Sequence, residues 1–320
     1  MDHFEDFKGT ESLAERPNSL HALLHLVLVF LFFIGSLFVL GGLGALVCSY
    51  LLTGEAAEMS SLLTLVEDLK SHPYILKLFV VISSSLPMIV AALITLIFIK
   101  ATAKDYLLLH FPKNLKWFIL SIIFVGISIF LLEFMLDINK LIDFEQWPEF
   151  YKKLVASEKN NNSLYEALAG GKGFMPLATS ILVMALIPAI AEEIFFRGFL
   201  MNAFNGLFKN MHVAIVITAI IFSLIHMQFT KIVPMFFLAV VFGYAAYWTG
   251  TIWTSIVAHF INNTFAVVLL YQNGGMDYAK TAEQGLNLAP WQTAVVGVCF
   301  LAMFIFLQRN ASPKTENFYV

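Results

Sequence analysis

The longest apolar run in the second half of the chain is FMPLATSILVMALIPAIAEEIFFRGFLMNAFN, residues 174–205. About 20 apolar residues are enough for a helix to cross the hydrocarbon core of a bilayer, so this run predicts a membrane-spanning helix. Its only charged residues are Glu192, Glu193 and Arg197. Because charges inside a membrane are costly, each of the three needs a partner or a function.

The composition of the whole chain also indicates a membrane protein. Hydrophobic residues make up 59% of the 320 residues and charged residues 13%, whereas soluble domains are about a quarter charged. These values exclude an ordinary soluble enzyme and a disordered chain. A net charge of −3 without a basic stripe excludes a nucleic-acid partner. We therefore expect an integral, multi-pass protein surrounded by lipid bilayer.

The fold class follows from the repetition of such apolar runs along the chain. We predict an all-α fold, a polytopic membrane helical bundle of about eight transmembrane helices with a catalytic core in the C-terminal helices. The predicted segments are residues 20–52, 75–99, 115–136, 174–205, 212–228, 232–249, 251–271 and 289–308.

Polar residues divide the chain into three parts. Residues 1–172 hold three N-terminal transmembrane helices, interfacial segments and one polar loop at residues 137–172. Residues 173–275 form the expected catalytic core, and residues 276–320 a last transmembrane helix and tail. Within the first part, residues 53–73 are expected to include a short interfacial helix, and residues 101–112 an amphipathic connector.

The orientation is predicted from Lys and Arg in the short loops, which are enriched on the cytoplasmic side. With the N-terminus inside, the outer short loops hold only four such residues, and we expect both termini in the cytoplasm, in a plasma or inner membrane. The inner segments hold Lys8, Arg16, Lys100, Lys104, Lys113, Lys116, Arg197, Lys209, Arg309 and Lys314, and the outer ones hold Lys70, Lys77, Lys231 and Lys280.

The two neighbouring glutamates have different surroundings on a helix. Glu193 and Arg197 are four residues apart and meet on one face, so Arg197 can neutralise Glu193. A structural clamp between helices is sufficient to explain this pair. Glu192 points about a third of a turn away and has no partner nearby in the sequence. A carboxylate in that position suits a general base or acid.

Two histidines on later helices extend the set of polar groups. His226 lies one turn after Phe222, and His259 one turn before Asn263. Together with Glu192 these groups can deprotonate a water and donate hydrogen bonds to an oxyanion. Glu192, His226 and His259 could instead hold a divalent metal such as zinc. The residues leave both the metal-dependent and the metal-independent mechanism open.

A proton-coupled transporter or a non-hydrolytic membrane scaffold is the alternative to an enzyme, because intramembrane Glu and His also serve proton relays. The distance between the groups separates the two hypotheses. A hydrolytic site brings the carboxylate and the imidazoles within a few ångströms of one another, whereas separations above about 8 Å favour a relay. No serine or cysteine nucleophile with a base is evident: Cys48 and Cys299 lie in apolar runs far from this cluster.

The motifs E-E-x-x-x-R, F-x-x-x-H and H-x-x-x-N occur in this order on successive apolar segments, with Arg197-Gly198 after the glutamates. In these motifs the chain resembles the CPBP family of intramembrane proteases, which includes the type II CAAX prenyl endopeptidases and the bacteriocin-immunity (Abi) proteins. The resemblance covers residues 174–275. It implies a protease of the membrane that acts on a membrane-associated protein or peptide, prenylated or otherwise lipid-modified.

The resemblance also implies roles for individual residues. Glu192 would activate the water, His226 and His259 would orient it or assist proton transfer, and Asn263 with His259 would stabilise the oxyanion. Glu193, Arg197 and Phe222 would support the site, and "metalloprotease" is the label that the family usually carries.

The depth of these residues in the membrane leads to a further prediction. His226 falls near the end of its helix, whereas Glu192 and His259 lie deeper. For the three to meet, either the connection at residues 229–234 dips into the membrane or the helix boundary lies elsewhere. We therefore expect a conical, water-accessible cavity within the C-terminal helices. The resemblance suggests that it opens to the cytosol, but the residues themselves do not indicate a side.

Overall fold

The computed structural model describes residues 19–55, 64–272 and 288–311. Every regular element in these ranges is a helix, which confirms the predicted polytopic helical bundle. The predictions for the two termini and for Lys280 lie outside the described residues. The division of the chain at residues 172 and 275 stays a prediction.

The helices are numbered here in chain order. They are α1 Ser19–Thr53, α2 Leu65–Leu69, α3 Pro73–Phe98, α4 Ala103–Tyr106, α5 Leu115–Ile129, α6 Leu132–Lys140, α7 Pro148–Ala169, α8 Phe174–Phe208, α9 Met211–Ile225, α10 Ile232–Thr249, α11 Trp253–Gln272 and α12 Pro290–Asn310.

Six of the described helices are long and apolar enough to cross a membrane: α1, α3, α8, α10 with the 3₁₀ turn before it, α11 and α12. A seventh span results if α5 and α6, which are bent by 45° at their junction, are counted together. The remaining predicted segment, residues 212–228, forms the shorter α9, which has 15 residues. At 1.5 Å per residue α9 is about 22 Å long, less than the ~30 Å thickness of the hydrocarbon core.

The end of α9 has a local cause. Met227 adopts the left-handed conformation with φ 52°, which turns the chain immediately after His226. A 3₁₀ turn, Phe229–Lys231, then leads into α10. The buried side chain of Asn139 on α6 holds this turn, because its Nδ2 donates to Phe229 O (3.1 Å) and its Oδ1 accepts from Val233 N (2.9 Å).

The polar residues 137–172 are largely helical rather than an open loop. Pro148 starts α7 at a position where a proline is well tolerated, and the helix runs for 22 residues to Ala169. Lys70 donates to Ser163 on α7 (2.8 Å), and Glu158 accepts from both the backbone N–H and the hydroxyl of Thr230 (2.9 and 2.8 Å). These bonds place the segment after α2, the helix α7 and the turn after α9 at one end of the bundle.

The opposite end of the bundle is held by a separate set of bonds. Thr251 donates to the carbonyl of His110 (2.6 Å), and Asn202 donates to the carbonyl of Tyr106 (2.8 Å). The buried core between the two ends contains Phe195 and Phe199 of α8 packed with Phe33 of α1, so it joins N-terminal and C-terminal helices. Within α8, a π-helical segment, Ile194–Leu200, begins directly after Glu193.

Candidate active site

The Glu193–Arg197 pair lies at the buried base of the candidate site. Arg197 Nη1 donates to Glu193 Oε1 at 2.7 Å, and the two side chains are 1% and 0% exposed. Arg197 also donates to the carbonyl of Ala239 on α10 (3.0 Å), and its guanidinium lies over the rings of Phe222 and Phe242 at 4.9 and 5.5 Å. The pair is therefore a clamp between helices, as the spacing of four residues predicts, and its charge is already satisfied.

Glu193 has a second partner on a distant helix. His259 Nδ1 lies 2.9 Å from Glu193 Oε1. An ionised carboxylate can only accept hydrogen bonds, so Nδ1 carries the proton in this contact and Nε2 is directed elsewhere. The ring of His259 is also stacked on Phe242 with centroids 5.0 Å apart. Glu193 thus has two roles: it pairs with Arg197, and it fixes the orientation and the tautomer of His259.

His226 is oriented by its own helix. Its Nδ1 lies 2.7 Å from the carbonyl oxygen of Phe222, one turn earlier, and that oxygen can only accept. His226 is the C-terminal cap of α9, and the centroids of its ring and the Phe222 ring are 4.4 Å apart. Phe222 therefore contacts both Arg197 and His226, and both imidazoles of the site have Nδ1 occupied and Nε2 available.

Glu192 lies between the two Nε2 atoms. Its Oε2 is 3.8 Å from His226 Nε2 and 3.8 Å from His259 Nε2. These distances are too long for direct hydrogen bonds, and Oε2 has no hydrogen-bond partner among the described residues. The Glu192 side chain is 15% exposed, in contrast to the fully buried Glu193. The structure thus brings one unpartnered carboxylate and two imidazoles together at distances that one shared water could span.

Asn263 completes the predicted set and lines the same cavity, one turn beyond His259 on α11. Its Oδ1 accepts a bond from Asn262 Nδ2 at 3.3 Å. This contact occupies the carbonyl oxygen of the Asn263 side chain, so the N–H₂ group of the same amide is the candidate donor to a substrate.

The site opens into a cavity of about 1200 Å³. Glu192, His226, His259 and Asn263 line it, but so do residues of α3, α5, α6 and α7. The prediction that the cavity lies within the C-terminal helices was therefore too narrow, because N-terminal helices supply part of its wall. The short α9 explains how His226 reaches the depth of Glu192.

The same residues carry donor atoms that are suited to a divalent metal. Their chemistry fits, since metal-binding histidines commonly donate the second ring nitrogen to a carboxylate or a backbone carbonyl. Two donors bound tetrahedrally to zinc at about 2.1 Å lie roughly 3.4 Å apart, and the 3.8 Å separations are wider. In the described part of the chain, no group of three His, Cys, Asp or Glu residues is arranged to hold a metal ion.

Several polar residues of the cavity were not predicted from the sequence, among them Glu133, Tyr165 and Gln228. Glu133 lines the cavity, and its Oε2 is buried without a hydrogen-bond partner in the described region. Tyr165 of α7 and Gln228 line it as well and are joined by a bond of 3.2 Å from Gln228 Nε2 to the phenol oxygen. None of the three lies three or four residues from a motif residue, so helical spacing gave no indication that they belong to the site.

Comparisons with known proteins show a similarity in the part of the chain that contains the candidate site. Residues 174–265 match the family model described as Type II CAAX prenyl endopeptidase Rce1-like. The uncharacterized protein YyaK of Bacillus subtilis (strain 168) is 26% identical over 193 residues, which cover 56% of this chain and 60% of YyaK. The chain thus aligns with less than two thirds of the length of this curated relative. No solved structure matches the chain significantly. Over residues 174–265 the chain is thus similar to the Rce1-like type II CAAX prenyl endopeptidases.

Proposed function

We propose that the protein is an intramembrane endopeptidase that hydrolyses a peptide bond of a membrane-associated protein or peptide, with a water activated by Glu192. The observation that supports this proposal most is the position of Glu192 Oε2, without a hydrogen bond and 3.8 Å from each of two imidazole nitrogens. This separation is well below the ~8 Å beyond which a relay would be favoured over a shared water.

Glu192 is the proposed base because Glu193 is committed elsewhere. The charge of Glu193 is neutralised by Arg197, and its Oε1 also holds His259. In the proposed reaction Glu192 takes a proton from the water while the water oxygen bonds to the scissile carbonyl carbon. The carbonyl electron pair moves to its oxygen and forms an oxyanion. When this intermediate collapses, the C–N bond breaks and the proton passes from Glu192 to the amine.

The remaining groups orient the water and stabilise charge. His226 and His259 present Nε2 to the position of the water. A protonated His259 would carry a hydrogen on Nε2 as well as on Nδ1, and this Nε2–H is the first proposed donor to the oxyanion. The amide N–H₂ of Asn263 is the second proposed donor. Removing one such donor typically lowers kcat by about 10²- to 10³-fold.

A divalent metal would be held by Glu192, His226 and His259. Such an ion would lower the pKa of its bound water and polarise the carbonyl. Glu192 would then be a ligand and a separate residue would have to act as base. Because Glu193 is held by Arg197 and His259, we favour the metal-independent mechanism, with Glu192 as the base.

The cavity favours a substrate with apolar parts. Its lining is mostly apolar, with side chains such as Phe79, Met88 and Leu238 beside the polar groups. An extended peptide that carries a prenyl or other lipid group, or an apolar segment of its own, fits a cavity of about 1200 Å³. We propose such a membrane-associated peptide or protein as the substrate partner.

The test compares peptide termini in membranes that contain wild-type protein, Glu192→Ala, His226→Ala or His259→Ala. We expect at least one new terminus in the wild-type membranes that is missing from all three variants. His212→Ala is the matched control, since His212 lies at the other end of α9, bonded to Tyr244 (2.9 Å) and outside the cavity lining. Identical termini in wild-type and Glu192→Ala membranes would refute the protease and favour a scaffold or transporter.

A further inference from the structure

The helix α7 contributes directly to the wall of the catalytic cavity. Asn161, Leu164, Tyr165 and Leu168, which follow helical spacing, line the cavity together with Glu192 and His226. The α7 helix carries many polar residues and lies outside the membrane-spanning segments. A segment outside the Rce1-like match at residues 174–265 therefore reaches the candidate site.

Tyr165 is bonded to the chain segment that carries His226. Gln228 Nε2 donates to the phenol oxygen of Tyr165 at 3.2 Å, and Gln228 follows His226 by two residues. The left-handed conformation of Met227 (φ 52°) produces the turn that brings Gln228 back to α7. Because a non-glycine residue in this conformation carries strain of about 1–3 kcal/mol, the surrounding contacts must maintain the turn.

The phenol of Tyr165 is kept as a hydrogen-bond donor. Burial raises the pKa of Tyr165, and the nearby negative charge of Glu192 raises it further, whereas the bond from Gln228 lowers it to a smaller extent. The phenol therefore stays protonated across the neutral range and retains its O–H. Tyr165 and Glu192 line the same cavity, so the phenol and the carboxylate both face the space proposed for the substrate.

We propose that Tyr165 is a further residue of the active site, whose phenol O–H donates a hydrogen bond to the oxyanion. This inference rests on the proposed protease function. In the attack step the water oxygen bonds to the carbonyl carbon, Glu192 takes the water proton, and the electron pair moves to the carbonyl oxygen. Tyr165 donates a hydrogen bond to that oxygen without losing its proton, and Gln228 holds the phenol in place. A tyrosine hydroxyl is one of the groups that serve this role in enzymes.

The experiment uses full-length protein in liposomes and a fluorogenic peptide that contains the cleavage site mapped in the comparison with Glu192→Ala. The variant is Tyr165→Phe, which removes only the hydroxyl. The matched control is Tyr151→Phe on the same helix, because Tyr151 is absent from the cavity lining. Thermal unfolding of each variant shows that it is folded.

We expect Tyr165→Phe to lower kcat about 10²- to 10³-fold with KM changed less than threefold, and Tyr151→Phe to match the wild type. Gln228→Leu should lower kcat by a smaller factor, because the phenol is then held less firmly. The pH of half-maximal kcat in the acid limb should be the same in Tyr165→Phe and the wild type, since the tyrosine is not the base.

Three results would overturn the inference. A kcat of Tyr165→Phe within threefold of wild type, while Glu192→Gln is inactive, removes Tyr165 from the site and leaves the proposed function intact. A raised KM with unchanged kcat shows substrate contact without stabilisation of the oxyanion. Equal cleavage by wild type and Glu192→Gln refutes the proposed function itself and with it this inference.

Discussion

The neighbouring residues Glu192 and Glu193 should respond in opposite ways to the same substitution. Glu193 is fully buried and accepts bonds from Arg197 (2.7 Å) and His259 (2.9 Å). Glu192 has no bond from its Oε2 and lies partly exposed in the cavity. We predict that Glu193→Gln destabilises the fold, whereas Glu192→Gln abolishes activity and leaves stability nearly unchanged.

The expected change in the free energy of unfolding depends on the group that each substitution leaves without a partner. Glu193→Gln leaves the Arg197 cation, 1% exposed, without a counter-charge. Removing one partner of a buried ion pair costs about 3–5 kcal/mol. The contacts of Arg197 with the Ala239 carbonyl and with two aromatic rings remain, so we expect the lower end, about 3 kcal/mol. Glu192→Gln breaks no hydrogen bond of Oε2 and should cost no more than about 0.5 kcal/mol.

The free energy of unfolding can be measured by SDS titration in mixed micelles, with tryptophan fluorescence as the signal. Trp248 is buried in the core and reports on this region. The double variant Glu193→Gln/Arg197→Met provides the control, because replacing a buried ion pair by uncharged side chains is often neutral. It should be at least about 2 kcal/mol more stable than Glu193→Gln alone.

Two results would contradict the reasoning. If Glu192→Gln and Glu193→Gln lose equal stability, the two carboxylates do not differ in their partners as described. If the double variant is no more stable than Glu193→Gln, the cost does not come from the unpaired guanidinium, and Glu193 then acts mainly through His259.

Three further predictions concern packing, the turn after α9 and metal dependence. Gly243→Ala should destabilise the fold by about 1–3 kcal/mol, because its Cβ would lie 2.8 Å from a methyl group of Ile215. The double variant Gly243→Ala/Ile215→Ala should recover part of this loss. Gly126→Ala is the control and should be neutral, because no atom lies within 4 Å of its added Cβ. Asn139→Leu should cost about 1–3 kcal/mol in unfolding experiments, since it leaves a backbone C=O and N–H of the turn after His226 unpaired. A chelator should leave the cleavage rate unchanged, and a loss that zinc restores would show instead that the histidines bind a metal.

Much of the site was predictable because it depends on local spacing and on the rarity of charge within membranes. Glu193 and Arg197 meet at i,i+4 as the helical period requires. His226, His259 and Glu192 were recognisable because polar groups in apolar runs need an explanation. The bond between Glu193 and His259 was not predictable, since 66 residues separate the two and the contact depends on how α8 and α11 pack.

The errors in the fold prediction have similar causes. The segment at residues 212–228 looked like a full span, but the left-handed turn at Met227 ends α9 at Ile225. Residues 137–172 looked like a polar loop, because the segment is rich in Lys, Glu and Asn, but Pro148–Ala169 forms a helix. The position of Glu133 in the cavity was not predictable either, because the cavity wall is assembled from helices far apart in the sequence.

The central claim is that water activated by Glu192 hydrolyses a peptide bond. The most direct measurement is mass spectrometry of the products when purified protein in liposomes cleaves the mapped peptide in H₂¹⁸O. We predict that wild-type protein yields a new C-terminal carboxylate that carries one ¹⁸O atom, and that Glu192→Gln yields no product. Equal amounts of labelled product from wild type and Glu192→Gln would contradict the account.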